Sequence, residues 1–210
     1  MTKLDELKTC VEKGKSKLVE GLVRESLDEG AKAGEILNAM IDAMSVVGDN
    51  FSKGEIFVPE MLMAAKAMNK GVEIIQPLLA GEGAESLGKC IIGTVEGDLH
   101  DIGKNLVTLM IGAAGFDMID LGVDVSTDKF IEAVKANPDV KIVALSALLT
   151  TTMPAMQETA KALNEIKGDY NYKLMVGGAP ITKEFADSIG ADGWASDAGA
   201  AALEAKSLIA

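Results

Sequence analysis

The spacing of apolar residues changes once along this chain of 210 residues, and that change limits the fold more than any other feature. Up to residue 88 the spacing is helical; from residue 89 it becomes short apolar runs divided by helical stretches. No single bundle or sandwich satisfies both patterns, so two domains are expected, 1–88 and 89–210. In the first, Leu4, Leu7 and Val11 fit one helix. Leu18, Leu22, Val23 and Leu27 fit a second that stops at Gly30. Ile36, Leu37, Met40, Ile41, Met44 and Val47 form the i, i+3/i+4 stripe of a third, which residues 48–54 should break or loosen. Pro59 suits the first turn of a fourth helix that ends near Leu79. Four helices with short connections predict a small four-helix bundle. The Gly-rich, acidic residues 81–88 read as a linker.

The second domain alternates. Apolar runs at 90–95, 118–121, 142–145, 174–176 and near 193–195 read as five strands. Helical patterns lie between them at 104–114, 127–136, 153–167 and 182–189, with a last helix from about Asp197. Thr127, Thr182 and Asp197 are the expected N-caps. Strands alternating with helices predict an open, flavodoxin- or Rossmann-like parallel sheet flanked by helices.

Composition removes several functions. There are one histidine and two cysteines, too few for a dedicated zinc cluster or a four-cysteine iron–sulfur site. Cys10 and Cys90 lie far apart in sequence, and a disulfide is not expected. The net charge is −12, shared by both halves, which opposes binding to nucleic acid or anionic lipid. No apolar run is long enough to span a membrane, and charges interrupt the N-terminal segment too often for a signal peptide. The chain reads as cytoplasmic and reduced. Aromatics are 4% of residues, so the cores must be aliphatic.

Any imidazole chemistry falls to His100, in the loop Glu96-Gly-Asp-Leu-His-Asp-Ile-Gly-Lys-Asn105 that follows the first strand. Ligands of α/β sheets bind at such strand-to-helix loops. A phosphate loop is a poor fit, because five residues separate Gly97 from Gly103 and Asn105 replaces the hydroxyl residue. Asp98 and Asp101 would also repel phosphate. The loop instead offers an imidazole with a carboxylate two residues before it, a pairing that fixes a metal-ligating tautomer. Taken alone, this pair reads first as a satisfied loop histidine and a capping acid. Two further loops shift that balance. Ser146, Thr150, Thr151 and Thr152 follow the third strand, where they line a cleft or cap the next helix. Gly177-Gly178 follows the fourth. In a sheet of order 2-1-3-4-5 these loops would face one another across the cleft between strands one and three.

Asp98-x-His100-x-x-Gly103, then after 42 residues Ser146-x-Leu148, then after 28 more Gly177-Gly178, resembles the D-x-H-x-x-G … S-x-L … G-G signature of cobalamin-binding domains. The helical half is similar to the cap that precedes this domain in methionine synthase and in the corrinoid proteins of methyltransferase systems. The similarity is clearest over residues 47–61, Val-Gly-Asp-Asn-Phe-Ser-Lys-Gly-Glu-Ile-Phe-Val-Pro-Glu-Met.

The resemblance implies cobalamin or a related corrinoid, with His100 as the lower axial cobalt ligand. It implies Asp98 as the hydrogen-bond partner of His100 and Thr152 as a hydroxyl extending that relay. Asp101, Ile102 and Gly103 would complete the binding loop. Ser146, Leu148, Thr150, Gly177 and Gly178 would line the pocket for the cofactor's nucleotide tail. Phe51 and Val58 match apolar residues that cover the upper face; Phe57 is equally readable as bundle core. The implied function is a methyl carrier whose cobalt receives a methyl group from a donor and gives it to tetrahydrofolate or a thiol coenzyme. The implied partners are a substrate-specific methyltransferase, a second methyltransferase and a reductive activator. The alternatives are a cobalamin-dependent regulator or sensor, and the small subunit of an adenosylcobalamin mutase. A regulator needs a signalling module that these residues do not supply, and a mutase subunit is not expected to carry the helical cap.

Overall fold

The computed structural model describes residues 2–82 and 86–210. Two compact units emerge, Met1–Glu85 and Ser86–Ala210. Residues 83–85 of the expected linker lie outside the described residues. Residues 86–88 are tied to the second unit, where the Leu87 N–H donates to the Gly115 carbonyl at 3.0 Å and the Asp117 N–H to the Gly88 carbonyl at 3.0 Å.

The first unit holds helices α1 (Lys3–Glu12), α2 (Ser16–Asp28), α3 (Ala33–Ser52) and α4 (Val58–Glu82). Helices α1 and α4 each pack on both α2 and α3, which is the pairing of a four-helix bundle. Its core is aliphatic, built on Leu7, Val11, Val19, Val23, Ile36, Met40, Met44, Met61 and Ile75. A capping box closes the start of α1: the Asp5 N–H donates to Thr2 Oγ1, and the Thr2 N–H to the Asp5 carboxylate.

Two expectations need correction here. Residues 48–52 do not break α3, because buried Val47 and half-buried Phe51 continue the apolar stripe past Gly48. The stop comes at Gly54, which takes φ 72° while its N–H and that of Glu55 turn back to the Phe51 and Asn50 carbonyls. Phe57 is not bundle core, since it is 67% exposed just before α4. Helix α4 itself continues to Glu82 and accommodates Pro77, so the first two residues expected in the linker are helical.

The second unit is a parallel sheet of order β2-β1-β3-β4-β5. Its strands are β1 (Lys89–Thr94), β2 (Asp117–Asp120), β3 (Val140–Ser146), β4 (Lys173–Gly177) and β5 (Gly193–Ala195). Helices α5 (Ile102–Ala113), α6 (Thr127–Ala136), α7 (Met153–Tyr170), α8 (Lys183–Ser188) and α9 (Ala198–Ile209) follow them in turn. The interior strand β1 is buried from Cys90 through Thr94, as a parallel sheet covered on both faces requires. On one face Ile91, Val143, Leu145, Leu174 and Val176 belong to one apolar cluster with Phe130, Val134, Met156, Leu163 and Tyr172. Trp194 of β5 packs against that cluster and donates its indole N–H to the Ile181 carbonyl at 2.8 Å.

Thr182 and Asp197 cap α8 and α9 with their side chains, but Ser126 rather than Thr127 caps α6. The Thr127 hydroxyl pairs with buried Thr159 at 2.8 Å, a tertiary partner invisible to local sequence. Among the described residues no helix is long and apolar enough to cross a membrane. Both cysteines are free thiols. Burial pushes the Cys90 thiol up to about 12, leaving almost no thiolate at neutral pH. Titration of the native protein with a thiol-disulfide reagent should therefore leave Cys90 unmodified until denaturant is added; rapid labelling in buffer would contradict the packing around β1.

Candidate functional site

The order of the sheet places a crevice where the chain changes direction. After β1 it crosses to β2 on one side, and after β3 it crosses to β4 on the other. At this end Thr94, Ser146 and Gly177 stand in register on β1, β3 and β4, with Ala195 beside Gly177 on β5. The loops that leave these strands carry the candidate site residues of this unit.

Asp98 is the buried member, with no side-chain exposure. Its Oδ1 accepts from the His100 N–H at 3.0 Å and lies 2.7 Å from His100 Nδ1. Its Oδ2 accepts from the Leu148 N–H at 2.7 Å, the Leu149 N–H at 3.3 Å and the Thr152 hydroxyl at 2.8 Å. One carboxylate thus ties the loop after β1 to the loop after β3. Burial alone would push the Asp98 carboxyl up. The N–H groups of Leu148 and His100, the His100 ring and the Thr152 hydroxyl outweigh it and hold the group far below the ordinary carboxylate range. A fixed negative charge at Nδ1 keeps a proton there, so the other ring nitrogen, Nε2, carries the lone pair.

His100 is also held by its backbone, since its carbonyl accepts from the Thr94 hydroxyl at 2.9 Å. Its ring is half exposed, and Nε2 has no partner among the described residues. Leu99 and Ile102 on either side are 73% and 77% exposed. Asp101 precedes α5 without capping it; its carboxylate accepts instead from the Asn105 side chain at 3.2 Å.

The hydroxyl row after β3 does not act as one wall. Thr150 and Thr151 are exposed, Ser146 is half-buried, and Thr152 is buried against Asp98. Nor does Thr152 cap α7; its hydroxyl is turned instead toward the Asp98 carboxylate and the Leu149 carbonyl. Leu148 contributes its backbone N–H, while its side chain is 42% exposed.

The two adjacent glycines serve different ends. Gly178 has φ 132°, and a Cβ there would sit 1.8 Å from the Ala147 carbonyl oxygen, so the backbone crossing permits nothing else. A Cβ on Gly177 would find only ordinary contact, at 3.5 Å from the Ala195 carbonyl oxygen. On Gly103 it would meet nothing within 4 Å. These two positions keep surface bare without any need of the protein itself. Phe51 and Val58 belong to the helical unit, at the end of α3 and the start of α4, half-buried and 37% exposed.

Local sequence did not reveal several partners. The Leu149 N–H, the Thr94 hydroxyl and buried Lys104 all hold roles set by other parts of the chain. Lys104 pairs with Asp120 and the Asn105 side chain, and so anchors the first turn of α5 to the end of β2. The one available signal was a lysine inside an otherwise apolar helix face.

These residues fit a corrinoid. Among the described residues no cluster of three or more His, Cys, Asp or Glu side chains could hold a bare metal ion. A corrin ring brings its own equatorial nitrogens and would need one further donor from the protein, a part that His100 Nε2 could fill. Exposed Leu99 and Ile102 give apolar flanks, and bare Gly103 and Gly177 leave room for a bulky appendage.

Comparison with known proteins agrees. Residues 88–203 match the B12 binding domain family, and residues 3–76 match a second family described as a B12 binding domain. A corrinoid protein of Desulfitobacterium hafniense is 41% identical over 203 residues, covering 94% of this chain and 93% of its own. Dimethylamine corrinoid protein 1 of Methanosarcina acetivorans is 40% identical over 210 residues, covering 99% and 92%. Among solved structures, a cobalamin-binding protein from D. hafniense superposes with a TM-score of 0.83 at 29% identity, covering 98% of both chains. The methanol:cobalamin methyltransferase complex of Methanosarcina barkeri contains a chain that matches with a TM-score of 0.82 at 27% identity, covering 99% of this chain and 79% of that one.

Two measurements test this geometry. Because the folded Asp98 carboxyl lies below its ordinary 3.8, its stabilising contribution is full above that pH and is lost as pH falls toward the folded value. Asp98→Asn should therefore cost roughly 2–4 kcal/mol in urea unfolding at pH 7, and the gap to wild type should narrow below about pH 4. Separately, Gly178→Ala should destabilise by about 3 kcal/mol or more, whereas Gly177→Ala should keep the wild-type melting temperature. Equal effects of the two glycine substitutions would refute the distinction.

Proposed function

This chain belongs to the corrinoid proteins built from B12 binding domains, and on that premise we propose that it is the methyl carrier of a methyltransferase system. When bound, the corrinoid supplies a cobalt centre that accepts and releases a methyl group. The protein's share is to hold that centre and choose its axial donor.

His100 would hold the cobalt of the corrinoid through Nε2, the ring nitrogen not engaged by Asp98. Asp98 retains the proton on Nδ1 and raises the basicity of the ring, and Thr152 with the Leu148 and Leu149 N–H groups keeps Asp98 charged and oriented. Ser146, Leu148, Thr150 and Gly177 would receive the nucleotide tail, with Gly178 setting the backbone crossing beside it, and Asp101, Ile102 and Gly103 would border the ring. The observation that carries this reading is the buried Asp98, five times hydrogen-bonded, behind a histidine whose second nitrogen is free.

The methyl donor is set by a partner methyltransferase. Relatives named for dimethylamine and trimethylamine favour a methylated amine as its substrate. A second methyltransferase passing the group to tetrahydrofolate or a thiol coenzyme, and a reductive activator, complete the cycle. No observation favours the sensor reading.

His100→Ala, reconstituted with hydroxocobalamin, should bind the cofactor with the visible spectrum of a centre lacking the protein nitrogen. An unchanged spectrum would overturn the ligand assignment. Asp98→Asn should lower methyl transfer by about 10–100-fold, measured with a partner methyltransferase against dimethylamine, trimethylamine and methanol. Transfer from methanol alone would replace the amine assignment.

A further inference from the structure

The Asp98 side chain is gripped from the β3 side, but its peptide is gripped from the opposite side by Asp124, in the connection between β2 and α6. The Asp124 N–H donates to the Asp98 carbonyl at 3.0 Å. Asp124 Oδ1 accepts from the Gly97 N–H at 2.7 Å. The two bonds close a ring around the Gly97–Asp98 peptide, two residues ahead of His100. The rest of this connection is stitched to the end of β1 as well. The Val125 N–H donates to the Thr94 carbonyl, the Thr94 N–H to the Gly122 carbonyl, and Val95 and Val125 form a parallel bridge.

The backbone of Asp124 is left-handed, with φ 52°. Among the described residues one other non-glycine residue, Asn171, has positive φ, and it closes α7. Such a conformation costs a residue other than glycine on the order of 1 kcal/mol. Glycine would meet the backbone requirement at no cost, as it does nearby at Gly122, φ 87°. An aspartate here is therefore explained by its carboxylate. That carboxylate is exposed, so it needs no protein partner for solvation, yet it is turned back onto a backbone N–H.

We infer that Asp124 is a positioning residue for the axial histidine, clamping the Gly97–Asp98 backbone so that His100 Nε2 is presented at a fixed height beneath the ring. This rests on the reading of His100 as the axial ligand. Thr152 and Asp124 then act on Asp98 from two sides, one on the side chain and one on the main chain.

Two substitutions separate the parts of this residue. Asp124→Gly keeps the left-handed backbone and the N–H donor but loses the acceptor oxygen. Asp124→Asn tolerates the same backbone and keeps an acceptor. Each protein is loaded with cobalamin and reduced to the paramagnetic cobalt(II) state, and the nitrogen splitting of the electron paramagnetic resonance spectrum measures how much carries the histidine. Wild type and Asp124→Asn should show it fully. In Asp124→Gly the ratio of histidine-on to histidine-off should fall about tenfold, the effect of one hydrogen bond. A histidine-on Asp124→Gly overturns the proposal and leaves the axial assignment standing. A wild-type spectrum that lacks the His100 nitrogen, matching His100→Ala, overturns the axial assignment instead. An Asp124→Asn that behaves like the glycine variant also overturns the proposal, because the retained acceptor then does nothing. Circular dichroism checks the fold, and an Asp124→Gly that does not fold makes the residue structural and refutes the positioning role.

Discussion

Everything at the crevice turns on keeping one carboxylate charged in the interior. Asp98 has no side-chain exposure, and burial there pushes its carboxyl toward the neutral form. Five donors keep it ionised, and they come from two loops that are about fifty residues apart in sequence. The charge does two jobs at once. It binds the loop after β1 to the loop after β3, and it selects the histidine tautomer that leaves Nε2 free. The fold serves this interaction: the parallel order brings the two strand ends side by side, and Thr94 and Ser146 share a register so that the loops start level.

Much of this was legible in the sequence. The change of period at residue 88 gave two architectures, and the strand–helix alternation gave the sheet class. The Asp98–His100 pair was readable because both partners lie in one loop, two residues apart. What the sequence hid was long-range. By residue type Thr152 was one of several hydroxyls; the family resemblance singled it out, and the return of the chain beside β1 brings it onto Asp98. Thr127 looked like a cap, but Thr159 claims its hydroxyl and Ser126 takes the cap. Phe57 had the composition of core, yet it lies at a helix start with its ring in solvent. Gly48 looked like a breaker, yet buried Val47 and half-buried Phe51 carried the helix through it. For Thr127 and Gly48 tertiary packing overrode a local preference.

The paired glycines sharpen the same point. A motif shows Gly177-Gly178 as one unit. The structure divides it into a residue demanded by the chain's own crossing and a residue that only keeps a surface bare. The first belongs to folding and the second to whatever occupies the crevice.

The placement of Trp194 has a practical corollary. It is the single tryptophan of the chain, and both tyrosines, Tyr170 and Tyr172, lie in the same unit. The helical unit absorbs in the near ultraviolet through Phe51 and Phe57 alone. Indole emission is therefore blind to the bundle, while far-ultraviolet dichroism registers the helices of both units. Denaturation curves from the two signals will coincide if the units melt as one cooperative block and separate if they do not. The chain carries its own optical means of asking whether its halves are thermodynamically independent.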